Sequence, residues 1–257
     1  MSHKHIQIEI DNHKIGLVLF INDCIVFSNS FHQVPATSFP VNQWVLNGVN
    51  TLKANVSINP HWTEELNEQS FKIVLKQYEG TPDNLVETVI SSLEWEYIPD
   101  TQFPVNLTQE FSLDIPYGNW GWYDADAFNE DTVPVDSLKQ YITSLHTALV
   151  NKDYTALEPF LTTKSTELAH AFGIPLNERF DDQKTFFITE LFSHPAWGLE
   201  PLNFENMIFQ FHAQGRLVEV IDIKGKSLIQ SAILDEGYNF SLPLFLCHKN
   251  DQWILCR

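Results

Sequence analysis

The hydrophobic period of the chain changes once, near Val135, and this change most constrains the fold. Within residues 5–115, short segments rich in β-branched and aromatic residues are separated by Asn, Asp, Gly and Pro. Several of these segments alternate, so that Phe71, Ile73 and Leu75 share one face of a strand. A series of such strands without a helical run predicts an antiparallel β-sandwich.

From Val135 the apolar residues recur at intervals of three or four, which indicates amphipathic helices. The first predicted helix has Asp136 as its N-cap. A second helix is predicted between Asp153, as its N-cap, and Gly173. Pro159 lies inside this segment and is expected either to bend or divide the helix or to open a new first turn.

A third helix is predicted between Pro175 and Pro195. Strand-like segments follow, separated by turn signals at Gly215, Lys224-Gly225 and Asn250-Asp251. Tight turns between alternating segments predict a meander of hairpins, so this half of the chain is expected to be α+β.

The segment FPVNQWVLNGVNTLKANVSI, from Phe39 to Ile58, predicts a tight turn before a strand. Gly48 makes the turn, and the Asn50 side chain fixes it. The segment resembles one found in jelly-roll and immunoglobulin-like accessory domains, including those attached to glycosidases. By fold alone, the resemblance implies a carbohydrate-binding accessory protein. Exposed, coplanar tryptophans would support that function, and the candidates are Trp44, Trp62 and Trp95.

The last segment, FSLPLFLCHKNDQWILCR, has two apolar strands around a polar turn, with Leu244 and Leu246 before the turn and Trp253 and Ile254 after it. Together with the preceding helices it resembles the cystatin-like superfamily that includes nuclear transport factor 2. The resemblance implies helices packed on a curved antiparallel sheet. We therefore expect two domains, a β-sandwich at 1–115 and a cystatin-like α+β domain at 134–257, joined by a connector at 116–133.

Enzymes that resemble the cystatin-like fold use an Asp, Glu or His inside a cavity as a general base. The catalytic candidates are His212, Asp222 and Tyr238, with Glu219 on the same group of strands. Alternation places His212 on the face away from the helices, whereas Asp222 shares a face with Val220 and either points inward or opens the next turn. Many large apolar side chains are present and suffice to fill the cavity, which favours a non-catalytic protein.

Acidic residues dominate the charge of the chain. There are 33 acids and 15 bases, and residues 1–133 alone hold 18 acids and five lysines, a net charge of −13. No basic residue lies between Lys76 and Lys139. Such a surface repels nucleic acid and attracts a basic protein partner, unless the acids serve only for solubility.

The connector contains the sequence PYGNWGWYDADAFNEDT, which is too aromatic for a flexible linker. Its rings are expected either to pack down and join the two domains or to anchor a partner. The candidate partner-binding residues are Trp120, Trp122, Tyr123, Asp124, Asp126, Glu130 and Asp131.

Motifs for nucleotides, nucleophilic serine or zinc are missing from the sequence, so neither a cofactor nor a metal is predicted. Cys24, Cys247 and Cys256 are expected to be reduced thiols, although the last two can face each other across a terminal hairpin. The first residues do not resemble a secretory signal, and no apolar run is long enough to span a membrane. These features predict a cytoplasmic protein without membrane or nucleic-acid contacts.

Together the features predict a non-catalytic protein that binds another protein. The most specific hypothesis is a bacterial immunity protein that neutralises a basic toxin or effector with its acidic surface. The first alternative is a small-ligand-binding protein or enzyme that uses a cavity in the C-terminal domain. The second is the carbohydrate-binding accessory protein. The oligomeric state stays open.

Overall fold

The computed structural model describes residues 3–29, 36–59, 68–81, 84–232 and 239–257. These residues form antiparallel sheets and three α-helices, which is an α+β class of fold. Contacts divide the chain into two compact units, Met1–Asn119 and Trp120–Arg257.

The described part of the first unit consists of two four-stranded antiparallel sheets. The strands of one sheet are β1 (Lys4–His13), β4 (Ala36–Pro40), β6 (Ser70–Thr81) and β7 (Asn84–Glu96). Those of the other are β2 (Ile15–Ile21), β3 (Cys24–Ser28), β5 (Gly48–Ile58) and β8 (Val105–Leu113). The strand orders are β4-β1-β6-β7 and β3-β2-β5-β8.

Alternate residues of both sheets are buried. In β6 the predicted shared face of Phe71, Ile73 and Leu75 is confirmed, because all three side chains are buried. In β5 Leu52, Ala54 and Val56 are buried in the same alternating way. Each sheet thus has one apolar face, which is the pattern that face-to-face packing of two sheets requires.

The predicted turn before β5 is also confirmed. Gly48 has a φ of +99°, a left-handed conformation that glycine adopts without strain. The Asn50 amide donates to the carbonyl oxygens of Leu46 and Gly48, both at 2.9 Å, and its Oδ1 accepts from the Leu46 N–H at 2.7 Å. The buried Asn50 side chain therefore provides hydrogen-bond partners for three backbone groups at this turn.

The second unit begins with three helices, α1 (Val135–Val150), α2 (Tyr154–Phe172) and α3 (Leu176–Thr185). A π-helical turn at Phe186–Leu191 continues α3. The prediction of Asp136 as the N-cap of α1 is wrong. Pro134 occupies the N-cap position, and Asp136 lies within the first turn, where its carboxylate faces the positive end of the helix.

Helix α2 has both of its predicted ends. Asp153 is the N-cap and accepts a hydrogen bond from the Ala156 N–H at 3.0 Å, and Gly173 ends the helix with a φ of +66°. Pro159 lies inside one continuous helix and does not divide it. Because Pro159 has no N–H, the helix has one fewer backbone hydrogen bond near its start.

The sheet of the second unit follows the helices. Its strands are β9 (Met207–His212), β10 (Leu217–Asp222), β13 (Leu244–Lys249) and β14 (Gln252–Leu255), in the order β14-β13-β10-β9. A separate pair is formed by β11 (Ile229–Gln230) and β12 (Ser241–Leu242). The predicted turns are confirmed by positive φ angles at Gly215, Gly225, Asn250 and Asp251.

Helices and sheet of the second unit share one hydrophobic core. Leu145 and Leu157 from the helices and Val218 and Val220 from β10 are all buried in it. Large rings occupy the same core, as expected; among those buried in it or packed against it are Phe160, Phe186, Phe187, Phe192, Trp197, Phe204, Phe209 and Phe211. None of the helices in the described ranges is long and apolar enough to cross a membrane.

Candidate functional site

Strand β7 is the edge of its sheet, and no other strand of the described ranges pairs with its outer side. It pairs with β6 over most of its length, and no backbone hydrogen bond joins it to any other described residue. Its first six residues, Asn84 to Val89, are all exposed. Leu85, Val86 and Val89 are 54%, 57% and 57% exposed. The start of β7 is therefore an open edge with apolar side chains on both faces.

Carboxylates bind the lysines on the sheet beside this edge. The Lys76 ammonium lies 2.9 Å from Glu9 and 3.0 Å from Glu87, and these hydrogen bonds raise the pKa of Lys76. Lys72 pairs with Glu94 at 2.6 Å. The first unit has 14 acids and only five lysines, so these pairs leave a large excess of negative charge.

The aromatic residues of the predicted connector lie in different environments. Tyr117 is buried in the first unit, where its hydroxyl donates to the Lys4 carbonyl oxygen at 2.7 Å. Trp120 and Trp122 are 3% and 2% exposed, so neither ring is available to a partner at the surface. Tyr123 is 56% exposed and does lie at the surface.

Two of the four predicted acidic residues bind the side chains of Lys249 and His248 in the second unit. Asp124 accepts from Lys249 at 2.6 Å, which lowers the pKa of the Asp124 carboxyl, and Asp126 lies 2.7 Å from His248 Nδ1. Glu130 and Asp131 are exposed, and neither carboxylate has an ion pair with a described residue. The candidate surface of this segment therefore consists of Tyr123, Glu130 and Asp131.

The catalytic candidate His212 is on the sheet face opposite the helices, as predicted. Its Nε2 lies 2.9 Å from Glu219 Oε2, and its ring lies 5.6 Å from that of Phe245. Antiparallel pairing explains the contact, because His212 is opposite Leu217 and Glu219 is two residues further along β10. A histidine paired with a carboxylate can transfer protons, but His212 is only 2% exposed and has no surface for a substrate.

Asp222 has a structural task at the end of β10. Its Oδ1 accepts from the backbone N–H groups of Lys224 and Lys226, both at 2.8 Å, and these bonds lower the pKa of its carboxyl. It therefore opens the turn, which was one of its two predicted roles, and it is poorly suited to act as a base. Tyr238 lies outside the described residues.

Two adjoining cavities lie beside β10, β11 and β12. The first has a volume of about 420 Å³ and is lined by Glu219 among others; the second has about 480 Å³ and includes Asp222. Both are lined by Lys226, Ser227, Gln230 and Asn239. These volumes fall in the range of small-molecule sites. His212 does not line either cavity.

A buried ionic cluster at the end of β14 was not predicted from the sequence. The Arg257 guanidinium pairs with Glu167 of α2 and lies 4.9 Å from the centroid of the Trp120 ring. The Gly121 N–H donates to Glu167 as well. On the same helix, burial and the charges of Arg257 and Arg179 lower the pKa of Lys164 to about 8.

Trp95, one of the candidates for carbohydrate binding, is half-buried. Its ring lies 6.4 Å from that of Phe71 and 5.9 Å from that of Phe103, so it packs against neighbours and is not displayed on a flat face. Trp44 is half-buried in a short 3₁₀ turn, and Trp62 lies outside the described residues.

In the described ranges, no three His, Cys, Asp or Glu side chains are grouped closely enough to hold a metal ion. Comparison of the chain with protein-family models, with curated proteins and with solved structures found no match.

Proposed function

We propose that this chain is a non-catalytic protein that binds a basic segment of another protein along strand β7. In its most specific form, the proposal is a cytoplasmic immunity protein that neutralises a basic toxin or effector. We also propose two domains, a β-sandwich followed by a cystatin-like α+β domain. Cys247 and Cys256 are reduced although their sulfur atoms lie close together, which supports a reducing compartment.

The open edge of β7 carries this proposal. An unpaired strand offers a row of N–H and C=O groups to which an extended peptide can add as a further strand. Leu85, Val86 and Val89 add apolar contact area along the same stretch. Edge strands are often protected by lysine, proline or a β-bulge. β7 contains no lysine or proline, and its bulge against β6 is at Ile90, after the exposed stretch from Asn84 to Val89.

Charge selects the class of partner. Glu87, Glu94 and Glu96 are exposed on β7, which has no basic residue of its own. Glu87 and Glu94 pair with lysines of β6, whereas Glu96 has no ion pair with a described residue. The carboxylates attract a positively charged partner, which speeds association, and they repel an acidic one. A partner strand rich in Lys or Arg is therefore favoured. The buried His212 and the turn-forming Asp222 support a function without catalysis.

A defined peptide tests the proposal directly. The probe is a fluorescent peptide of about ten alternating Lys and Val residues, with a Glu and Val peptide as its anionic counterpart. We expect fluorescence anisotropy to show binding of the cationic peptide only. Raising NaCl from about 50 mM to about 500 mM should weaken that binding about tenfold, because salt screens the carboxylates.

A matched pair of variants locates the binding site. V86K places a lysine on the open edge and should weaken binding of the cationic peptide about tenfold, because it adds like charge and a blocking side chain. V49K is the control, since Val49 is 67% exposed on β5, a strand of the other sheet, where it pairs with Ser112 of β8. Equal weakening by both variants, or no binding by the wild type, would refute the proposal.

The cavities beside β10 support a second candidate, a small-ligand-binding protein. Glu219 and Glu200 supply carboxylates there and Lys224 and Lys226 supply cations, so the arrangement suits a polar zwitterion such as an amino acid. Thermal shift with the twenty common amino acids tests it. A rise in melting temperature that K226Q abolishes would support this candidate, and no rise with any of them would exclude it.

A further inference from the structure

Two of the three cysteines of the chain lie side by side. Cys247 is in β13, and Cys256 follows β14, where its N–H continues the pairing by donating to the Phe245 carbonyl oxygen at 2.8 Å. The two sulfur atoms are 2.9 Å apart. Both residues are 0% exposed, so their neighbourhood is set by packing rather than by mobile surface side chains.

The strand register explains why the thiols meet. Leu246 pairs with Leu255 and points into the core, so the neighbouring residues Cys247 and Cys256 point to the other face of the sheet. A disulfide bond is about 2.05 Å long, and the sulfurs must therefore approach by less than about 1 Å. Cys247 is opposite Ile254, and Cys256 is two residues further along the chain, so the two thiols are diagonal neighbours on this face.

We propose that Cys247 and Cys256 are a modification site at which hydrogen peroxide closes an intramolecular disulfide. One thiolate sulfur attacks a peroxide oxygen, the O–O bond breaks, and a sulfenic acid and one water form. The second thiolate then attacks the sulfenic sulfur, the S–O bond breaks, and a second water leaves. The two cysteines lose two electrons and two protons, and the peroxide is reduced to two waters.

The surroundings make this site slow to react but selective in its product. The hydrogen bond between the thiols and their burial raise the pKa of Cys256, so little thiolate is present at neutral pH. Peroxide reaches the sulfurs only when the terminal hairpin opens locally. Once one sulfur is oxidised, its neighbour reacts with it before a second peroxide molecule can.

The disulfide would link the end of β14 covalently to β13, next to the buried ionic cluster. Cys256 immediately precedes Arg257, whose guanidinium holds Glu167 and stacks over Trp120. In the chain-entropy model, closing the short loop from Cys247 to Cys256 shifts the folding equilibrium by about a hundredfold toward the folded state. We therefore expect the oxidised chain to unfold at a higher urea concentration than the reduced chain.

Mass spectrometry of the full chain tests the site. The folded protein is treated with peroxide, free thiols are alkylated, and the chain is digested with trypsin, which cleaves after Lys249 between the two cysteines. The expected product is peptide 227–249 joined to peptide 250–257, two mass units lighter than the two reduced peptides together. C24S should give the same product, whereas C247S and C256S should not.

Treatment in about 8 M urea provides the comparison, because the unfolded chain exposes all three thiols. There we expect mixed disulfides that include Cys24, whereas the folded protein should give only the Cys247–Cys256 link. Sulfinic acid at Cys247 or Cys256 in place of the link would overturn the proposal. So would a folded pair that stays reduced at peroxide doses that fully oxidise the unfolded chain.

Discussion

Lys164 is predicted to destabilise the folded chain at neutral pH. It lies on α2, half-buried, and forms no hydrogen bond or ion pair with any described residue. Burial, followed by repulsion from Arg257 and Arg179, lowers its pKa from 10.5 to about 8. A cation in such a place costs folding free energy because water solvates it better in the unfolded chain.

The size of the effect follows from the pKa. A fall from 10.5 to about 8 corresponds to about 3 kcal/mol, and partial exposure of the side chain reduces this to about 1–3 kcal/mol. K164M keeps most of the side-chain volume and removes the charge. At pH 7 we therefore expect the free energy of unfolding of K164M to exceed that of the wild type by about 1–3 kcal/mol.

The pH dependence has a definite sign. Below pH 8 Lys164 is charged in both the folded and the unfolded chain, and the wild type has the full free-energy cost of the buried charge. Between pH 8 and 10.5 the unfolded chain keeps a proton that the folded chain has lost, so the stability of the wild type rises with pH relative to K164M. Above pH 10.5 the lysine is neutral in both states, and the difference disappears.

Urea unfolding followed by helical circular dichroism is the appropriate assay, because α1, α2 and α3 all belong to the second unit. K184M is the control, since Lys184 is exposed on α3 and its replacement should change stability by less than about 0.5 kcal/mol. The reasoning fails if K164M is no more stable than the wild type at pH 7. It also fails if the gain persists unchanged above pH 10.5.

Two further substitutions test contacts described above. E167Q leaves the guanidinium of Arg257 buried without its charged partner and should cost about 3 kcal/mol in urea unfolding; a loss below about 1 kcal/mol would show that the pair is solvated. N50A removes four side-chain hydrogen bonds, three to the backbone of the turn before β5 and one from Asn22, and should cost about 2 kcal/mol in thermal unfolding. Faster hydrogen exchange at the Leu46 amide should accompany the loss.

Local signals in the sequence predict most of the secondary structure. Asp153 and Gly173 mark the ends of α2, because a cap and a left-handed terminus depend only on neighbouring residues. Asn50 is recognisable in the same way, since its backbone partners lie within four residues. Asp136 shows the limit of such signals, because the N-cap of α1 is Pro134, two residues before the carboxylate that predicted it.

The contacts of the candidate sites depend on distant residues and were mostly not predictable. Arg257 meets Glu167 across 90 positions of the chain, and nothing in either local sequence indicates the pairing. His212 and Glu219 are an exception, because the turn at Gly215 fixes the register that brings them together. The sequence analysis considered both residues but did not pair them.

The open edge of β7 has a second consequence, for contact between copies of the chain. A strand that accepts a foreign peptide can also accept the same strand from another molecule, which is how aggregation of sheet proteins often begins. The carboxylates around β7 keep two copies apart because they repel each other. Acidification toward the isoelectric point near 4.8 removes this repulsion, so self-association through β7 should set in there first.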